Sequence, residues 1–233
     1  MTDRRTVRTW AEVDLDALAH NYHALRRQMG PDSRFLGVVK ADAYGHGAIE
    51  AARTLEELGA EYLAISNIDE ARELRLAGIR LPILQLGLTP ADQTAAVMAN
   101  NVTQAVWSEA AAEDFSREAV RAGGRMKAHI KLDTGMSRLG FQCDEHRFED
   151  SLEAVCRTCA LPGLEVEGIF THFAVSDESE ESCREYTRLQ HRRFEEMIRR
   201  LEERGVTFAI RHCANSGGGA GRHLCHPPLR QQR

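Results

Sequence analysis

Seven short apolar runs alternate with segments of helical periodicity along this chain, and this alternation constrains the fold more than any other feature. The runs span residues 35–39, 61–65, 82–86, 103–106, 126–132, 164–170 and 208–213. Helical patterns span residues 14–29, 47–59, 67–78, 90–100, 108–123, 144–160 and 180–204. Strands that alternate with helices form a parallel sheet covered by helices. The pattern therefore predicts an α/β fold, a TIM-type (β/α)8 barrel in which the eighth strand is missing or incomplete.

Local signals refine the expected boundaries. Asn67 with Glu70 is typical of a helix N-terminus, because an Asn oxygen can accept from a free helix amide. Thr89 followed by Pro90 predicts a second helix start, since proline suits the first helical position. The stretch TVRTWAEVDL near the N-terminus is interpreted as an additional strand with no obvious partner.

The chain is expected to consist of one barrel domain and a short tail. A single barrel domain is expected over residues 7–216. Residues 217–233 (GGGAGRHLCHPPLRQQR) hold no acidic residue and no apolar run that could be an eighth strand. This composition predicts an atypical, disordered tail.

Composition excludes several classes of function. The 233 residues are 42% hydrophobic and carry a formal net charge of -5, which gives no electrostatic footprint for nucleic acid or an anionic membrane. No apolar run approaches the roughly 18 residues that span a bilayer, and no leader sequence is visible. The sequence therefore predicts a soluble cytoplasmic protein with no nucleic-acid or membrane partner.

The cysteines predict neither disulfides nor a metal site. Cys156 and Cys159 lie inside a helical pattern, where we interpret them as core residues rather than a redox or zinc pair. A second group matches no common zinc spacing, so no metal is predicted; it comprises His212, Cys213, His223, Cys225 and His226.

Lys40 ends the first apolar run, in the stretch FLGVVKADAYGHGA. In a parallel barrel the reactive groups gather at the carboxyl ends of the strands. A lysine there, partly shielded from water, can act as a nucleophile and form a Schiff base with a carbonyl. A salt-bridged or surface lysine is the simpler interpretation of Lys40 alone.

Other strand ends carry polar groups that would share this rim. His129, Lys131 and Asp133 alternate with apolar residues in the fifth run, and Arg138 follows in the loop. The sixth run ends near His172. The seventh ends in Asn215, Ser216 and glycines, whose hydroxyl and amide groups suit a phosphate.

Together these groups indicate pyridoxal 5′-phosphate. This cofactor needs an amine for its aldehyde, a cation for its phenolic oxygen, a group against its ring and a phosphate pocket. The longest motifs, VVKADAYGHG and KLDTGMSRLGF, are similar to signature stretches of the alanine racemase family of fold-type III pyridoxal phosphate enzymes. RTWAEVDLDALAHNY and HCANS also resemble that family, from about residue 7 to about residue 216.

The resemblance implies roles position by position. Lys40 would hold the cofactor and be the base on one face of the substrate, and Arg138 would bind the phenolic oxygen and the substrate carboxylate. Lys131 matches a lysine that is often carbamylated and then steadies the arginine; a structural ion pair with Asp133 is the alternative. The other expected cofactor contacts are Tyr44, His172, Asn215, Ser216, Val38 and Leu86.

The chain departs from the family after Ser216. The resemblance implies an eighth strand with a VRPG-like motif, whose arginine faces the pyridine nitrogen, and neither Arg222 nor Arg230 has matching neighbours. It also implies a C-terminal β domain that supplies a catalytic tyrosine across a homodimer interface. We therefore expect a truncated racemase whose activity is impaired and whose homodimer is doubtful.

Three hypotheses stay open from the sequence. The first is an isomerase that interconverts L-alanine and D-alanine, a small amino acid substrate, for cell-wall synthesis. The second is a non-catalytic, single-domain barrel that binds pyridoxal phosphate for homeostasis. The third is a non-functional fragment.

Overall fold

A computed structural model of the chain describes residues 9–216. Its strands are β1 (Leu36–Val38), β2 (Tyr62–Ile65), β3 (Ile83–Gln85), β4 (Val102–Val106), β5 (Met126–Asp133), β6 (Phe141–Gln142), β7 (Leu164–Phe170) and β8 (Ile210–His212). Its helical segments are α1 (Leu15–Gln28), α2 (Lys40–Gly45), α3 (Ala48–Glu57), α4 (Ile68–Leu76), α5 (Thr94–Ala99), α6 (Glu109–Arg121), α7 (Phe148–Cys159) and α8 (Glu181–Glu203). A short 3-10 helix, Ala91–Gln93, precedes α5.

Seven of these strands form one curled, parallel half-barrel. Their order is β1-β2-β3-β4-β5-β7-β8, and each strand pairs in parallel with the next. The two-residue strand β6 pairs with the end of β5 and was not predicted. The predicted barrel class and all seven predicted strands are confirmed. Within residues 9–216, β1 and β8 are the edges of the sheet.

The helices pack on the outer face of the sheet because each presents an apolar stripe. Four alanine and leucine residues of α3 are buried, and α8 buries Phe194, Met197, Ile198 and Leu201. These side chains meet strand residues such as Leu63, Ile83 and Ile130, which are fully buried. Burial of this apolar area is the main term that favours the fold.

Two helix starts show where the local signals succeed and fail. Asn67 caps α4 as expected, since its side-chain oxygen accepts from the amides of Asp69 and Glu70 at 3.0 and 3.1 Å. The prediction for Thr89 was wrong. Its hydroxyl turns inside the barrel, where it donates to Gln104 Oε1 at 2.7 Å and accepts from Gln85.

The additional N-terminal strand was also wrong for the described part of its range. Residues 9–14 form no strand, because Asp14 caps α1 by accepting from the Ala17 amide at 3.0 Å. The remainder of that stretch lies outside the described residues. Residues 217–233, the predicted tail, also lie outside the described residues.

The remaining structural expectations concern cysteines, metals and membranes. Cys156 and Cys159 are free, half-buried thiols in α7, which confirms their interpretation as packing residues. Residues 9–216 contain no group of three His, Cys, Asp or Glu side chains placed to hold a metal ion. His223, Cys225 and His226 lie outside this range. No helix in the described part of the chain is long and apolar enough to cross a membrane.

Candidate active site

The predicted site residues lie at the carboxyl ends of the strands. Lys40 follows β1 by two residues, Lys131 is near the end of β5, and His172 follows β7 by two residues. Because the strands are parallel, these ends share one rim of the half-barrel. The other predicted residues on this rim are Val38, Tyr44, Leu86, Arg138, Asn215 and Ser216.

Lys40 begins a left-handed turn. The four residues after it, Ala41–Tyr44, have φ between 51° and 56°, although none is glycine. Left-handed backbone is costly for residues with a Cβ atom, and such strain is concentrated at functional sites. We call Lys40–Gly45 the Lys40 turn. It carries Tyr44, which is 62% exposed and whose ring centroid lies 5.8 Å from Lys40 Nζ.

Asp133 organises the loop that carries Arg138. Its Oδ1 accepts from the amides of Gly135 and Ser137 at 3.0 and 2.9 Å, and its Oδ2 accepts from the Arg138 amide at 3.0 Å. Gly140 lets the chain return against β5, because a Cβ atom there would lie 2.6 Å from the Asp133 nitrogen. Arg138 itself is exposed at the rim.

Lys131 is a buried cation beside other cations. Only 6% of it is exposed, and its Nζ lies 4.8 Å from the centroid of the Phe170 ring. Burial, followed by the positive charge of Arg138, lowers the pKa of Lys131 to about 8. The alternative ion pair with Asp133 does not form in the described residues, because that carboxylate binds the loop amides instead.

His172 lies beside these cations and is neutral near pH 7. Burial lowers the pKa of its imidazole, and the charges of Lys131, Arg138 and Lys40 lower it further. The three charges that act on His172 come from residues after β1, on β5 and in the loop after β5, at the same rim. We call Lys40, Lys131 and Arg138 the cation cluster, with His172 as its neutral member.

The remaining predicted residues lie on the same rim, because they are at or just after the carboxyl ends of their strands. Val38 is 40% exposed, and Leu86 is half-buried just after β3. Asn215 Oδ1 accepts from the Ser176 hydroxyl at 2.6 Å, which joins the end of β8 to the loop after β7. Ser216 is exposed, and the glycines after it lie outside the described residues.

Two positions at this rim escaped the sequence-based analysis. Glu70 was predicted only as part of a helix cap, yet its carboxylate binds the Lys40 turn. Gln190 is fully buried and binds both the His172 loop and the Arg138 loop. No local sequence signal predicts these contacts with the loops of the rim, because the partners in those loops lie 16 to 56 residues away.

The donor set fits pyridoxal phosphate. The rim supplies one amine at a strand end, two further cations and a neutral imidazole. A phosphorylated aldehyde with a phenolic oxygen requires a nucleophilic amine and positive charge of this kind. The residues present are therefore chemically suited to this cofactor.

Comparison with known proteins gives a consistent result. The family model described as alanine racemase, N-terminal domain, matches residues 13–228. Alanine racemase of Desulforamulus reducens is 46% identical over 207 residues, which make up 89% of this chain and 54% of that protein. Alanine racemase 2 of Caldanaerobacter subterraneus subsp. tengcongensis is 42% identical over 209 residues, or 90% of this chain and 52% of the relative.

Solved structures show the same fold. Alanine racemase of Clostridium difficile 630, in complex with cycloserine, superposes with a TM-score of 0.85 at 40% identity, covering 92% of this chain and 57% of that one. The Bacillus anthracis enzyme with bound L-Ala-P gives a TM-score of 0.78 at 37% identity, covering 91% and 53%. The chain thus spans about half the length of these relatives. It belongs to the alanine racemase family and corresponds to the N-terminal domain of that family.

Proposed function

We propose that this chain is the pyridoxal phosphate-binding barrel of an alanine racemase-type isomerase. The observation that carries the proposal is the cation cluster around the neutral imidazole of His172, with the Lys40 amine at the end of β1. The substrate class we propose is a small amino acid, with alanine favoured by the family.

Lys40 and Arg138 would have different roles in the proposed reaction. Bound pyridoxal phosphate supplies an electron sink that makes the Cα proton of an amino acid acidic. Lys40 Nζ would hold the cofactor aldehyde and then carry that proton on its own face of the substrate. The Arg138 guanidinium would pair with the phenolic oxygen and the substrate carboxylate, since it presents several donors in a planar fork.

Other side chains would bind rather than react. A neutral His172 can pack against the pyridine ring without adding charge to it. Tyr44, Asn215 and Ser216 would face the phosphate, and Val38 and Leu86 would form the apolar wall.

Lys131 would support Arg138 after carbamylation. Carbon dioxide adds only to a neutral amine, and the Lys131 amine, with its pKa near 8, is neutral to a useful extent in mild alkali. The nitrogen would bond to the carbon of carbon dioxide and lose one proton to solvent, and the resulting carbamate anion would replace a repulsive cation next to Arg138 by an attractive anion.

We further propose that the chain alone racemises alanine poorly. Racemisation needs a proton carrier on each face of the substrate, and in the family the second is a tyrosine. Of the four tyrosines here, Tyr22 is buried in the core, Tyr62 bonds to Glu167 inside the barrel, and Tyr186 bonds to the Gly135 carbonyl at 2.7 Å. Tyr44 lies in the same turn as Lys40.

A homodimer of this chain would not supply the second proton carrier, because a second copy has the same four tyrosines. We therefore propose that the family homodimer is not restored by this chain alone, although Val38, Tyr44 and Leu88 are exposed at its rim. Light scattering measures the oligomeric state.

The cofactor proposal is tested through the lysines, of which the chain has three: Lys40, Lys127 and Lys131. The purified chain should turn yellow with pyridoxal phosphate, and borohydride should fix the label on Lys40. Lys40→Ala should abolish the colour, whereas the matched control Lys127→Ala should keep it. Equal colour in Lys40→Ala and the unmodified chain would refute the proposal.

The activity proposal is tested by turnover of L-alanine coupled to D-amino acid oxidase. We expect a rate far below the order of 10 per second that is ordinary for enzymes. An ordinary rate would show that the chain is a complete racemase. Binding without any turnover would favour the non-catalytic barrel.

A further inference from the structure

The Lys40 turn cannot be held by its own backbone preferences. Its four left-handed residues all have a Cβ atom, which makes this backbone conformation unfavourable relative to the right-handed one. Contacts from outside the turn must therefore stabilise it. The direction in which Lys40 leaves β1 depends on these contacts.

One end of the turn is fixed from within its own segment. The Ala43 amide donates to the Val39 carbonyl at 2.9 Å, and Asp42 Oδ1 accepts from the Ala48 amide at 2.6 Å. These bonds attach the turn to the start of α3. They leave the peptide group directly after Lys40 without a partner from this segment.

Glu70 binds that peptide group. Its Oε1 accepts from the Ala41 amide at 2.8 Å, and its Oε2 accepts from the Ser66 amide at 2.7 Å. Hydrogen bonds to a charged acceptor are about twice as strong as neutral ones. A single carboxylate thus joins the turn after β1 to the residue that follows β2.

Glu70 is itself held firmly. It lies in the first turn of α4, where its amide donates to the Asn67 cap at 3.1 Å. Ile68 and Ala71, on either side of it, are buried in the core. Glu70 is therefore fixed relative to the sheet before it contacts the Lys40 turn.

We propose that Glu70 is a positioning residue for Lys40. Its carboxylate holds the left-handed turn and so aims the Lys40 amine at the aldehyde of the cofactor. This inference rests on the proposed function, and it assigns to Glu70 a task that involves no contact with cofactor or substrate.

Glu70→Gln is the direct test. An amide has one acceptor oxygen, so one of the two backbone amides would face an NH2 group instead. Asp69→Asn is the matched control, because this neighbouring carboxylate is exposed and its ion-pair partner within residues 9–216 is Arg72, at 2.7 Å. Both variants lose one negative charge from the same helical turn.

Two ligands distinguish a loss of Lys40 positioning from a general loss of the binding site. Pyridoxal phosphate can react with the Lys40 amine, whereas pyridoxine phosphate lacks the aldehyde and binds only through its ring and phosphate. We expect Glu70→Gln to weaken pyridoxal phosphate binding about tenfold or more, as the loss of a charge-assisted hydrogen bond would do, and to leave pyridoxine phosphate binding unchanged. Asp69→Asn should match the unmodified chain with both ligands.

Several outcomes would overturn the inference. Unchanged pyridoxal phosphate binding in Glu70→Gln would do so, and so would an equal loss of both ligands. If Glu70→Gln fails to fold, Glu70→Asp keeps the charge on a shorter side chain, and the same selective loss is required of it.

A failure of the proposed function is recognised separately. If the unmodified chain itself does not turn yellow, the cofactor proposal is wrong, and backbone hydrogen exchange then decides the role of Glu70. Faster exchange at residues 41–47 in Glu70→Gln, with no change in Asp69→Asn, would support its hold on the turn. Unchanged protection there would refute it.

Discussion

At the scale of the residue, Lys131 shows how the site is held in an unfavourable charge state. Its cation is buried, and the positive charges of Arg138 and Lys40 disfavour it further. The contact of its ammonium group with the Phe170 ring offsets only part of this unfavourable energy. Below pH 8 the amine is charged in both the folded and the unfolded chain, so the full cost of burying the charge is present. Between pH 8 and 10.5 the folded chain releases this proton first, and stability should rise with pH.

Lys131→Met should remove this penalty. In carbonate-free buffer at pH 7 we expect the free energy of unfolding to increase, by at most about 3 kcal/mol for a shift of this size. The gain in stability between pH 8 and 10.5 should disappear. Urea titrations across this pH range measure both effects, with Lys127→Met on the same strand as the control. An equal or lower stability of Lys131→Met at pH 7 would contradict the account.

At the scale of the element, α8 connects two loops of the rim through one side chain. Gln190 Oε1 accepts from the Ala174 amide at 2.9 Å, and its Nε2 donates to the His172 carbonyl at 3.3 Å and to Thr134 Oγ1 at 3.4 Å. The helix thereby fixes the loop after β7 against the loop after β5. These are the loops that carry His172 and Arg138.

Replacing Gln190 should destabilise the chain through unpaired backbone groups. Gln190→Leu fills a similar volume but leaves the Ala174 amide and the His172 carbonyl without this partner, which costs about 1–3 kcal/mol. Urea unfolding measures the loss. Glu185→Leu on the exposed face of α8 is the control and should change stability by at most about 0.5 kcal/mol. Similar stabilities in the two variants would show that Gln190 contributes no net hydrogen bonding.

The elements were largely predictable, and the contacts between them were not. Strand positions follow from apolar runs, because a parallel strand covered on both faces needs them. Thr89 was misassigned because a hydroxyl before proline looks the same whether it caps a helix or bonds inside a barrel. The left-handed Lys40 turn contains no glycine from Ala41 to Tyr44, so no local sequence preference predicts it. Its stabilising partner, Glu70, lies 29 residues away from Ala41.

At the scale of the whole molecule, one polar network crosses the interior of the half-barrel. Glu167 on β7 accepts from Tyr62 on β2 at 3.0 Å and from Thr103 on β4 at 2.8 Å. His129 on β5 lies 3.6 Å from the same carboxylate oxygen and bonds to His212 on β8 at 3.1 Å. Five of the seven barrel strands therefore meet at one carboxylate and its imidazole neighbours.

This network should make the fold sensitive to acid. The His129 imidazole, followed by the hydrogen bonds from Thr103 and Tyr62, lowers the pKa of Glu167 from 4.5 to about 2. A depressed carboxylate pKa contributes stability that is present above pH 4.5 and is lost as the pH falls toward 2. Glu167→Gln should thus be less stable at pH 7 and should lose less stability than the unmodified chain between pH 4.5 and 2.

Thermal unfolding across this range provides the measurement, with Glu165→Gln, an exposed neighbour on β7, as the control. If Glu167→Gln and Glu165→Gln lose stability in acid to the same extent, the carboxylate does not connect the strands in the way that its contacts indicate.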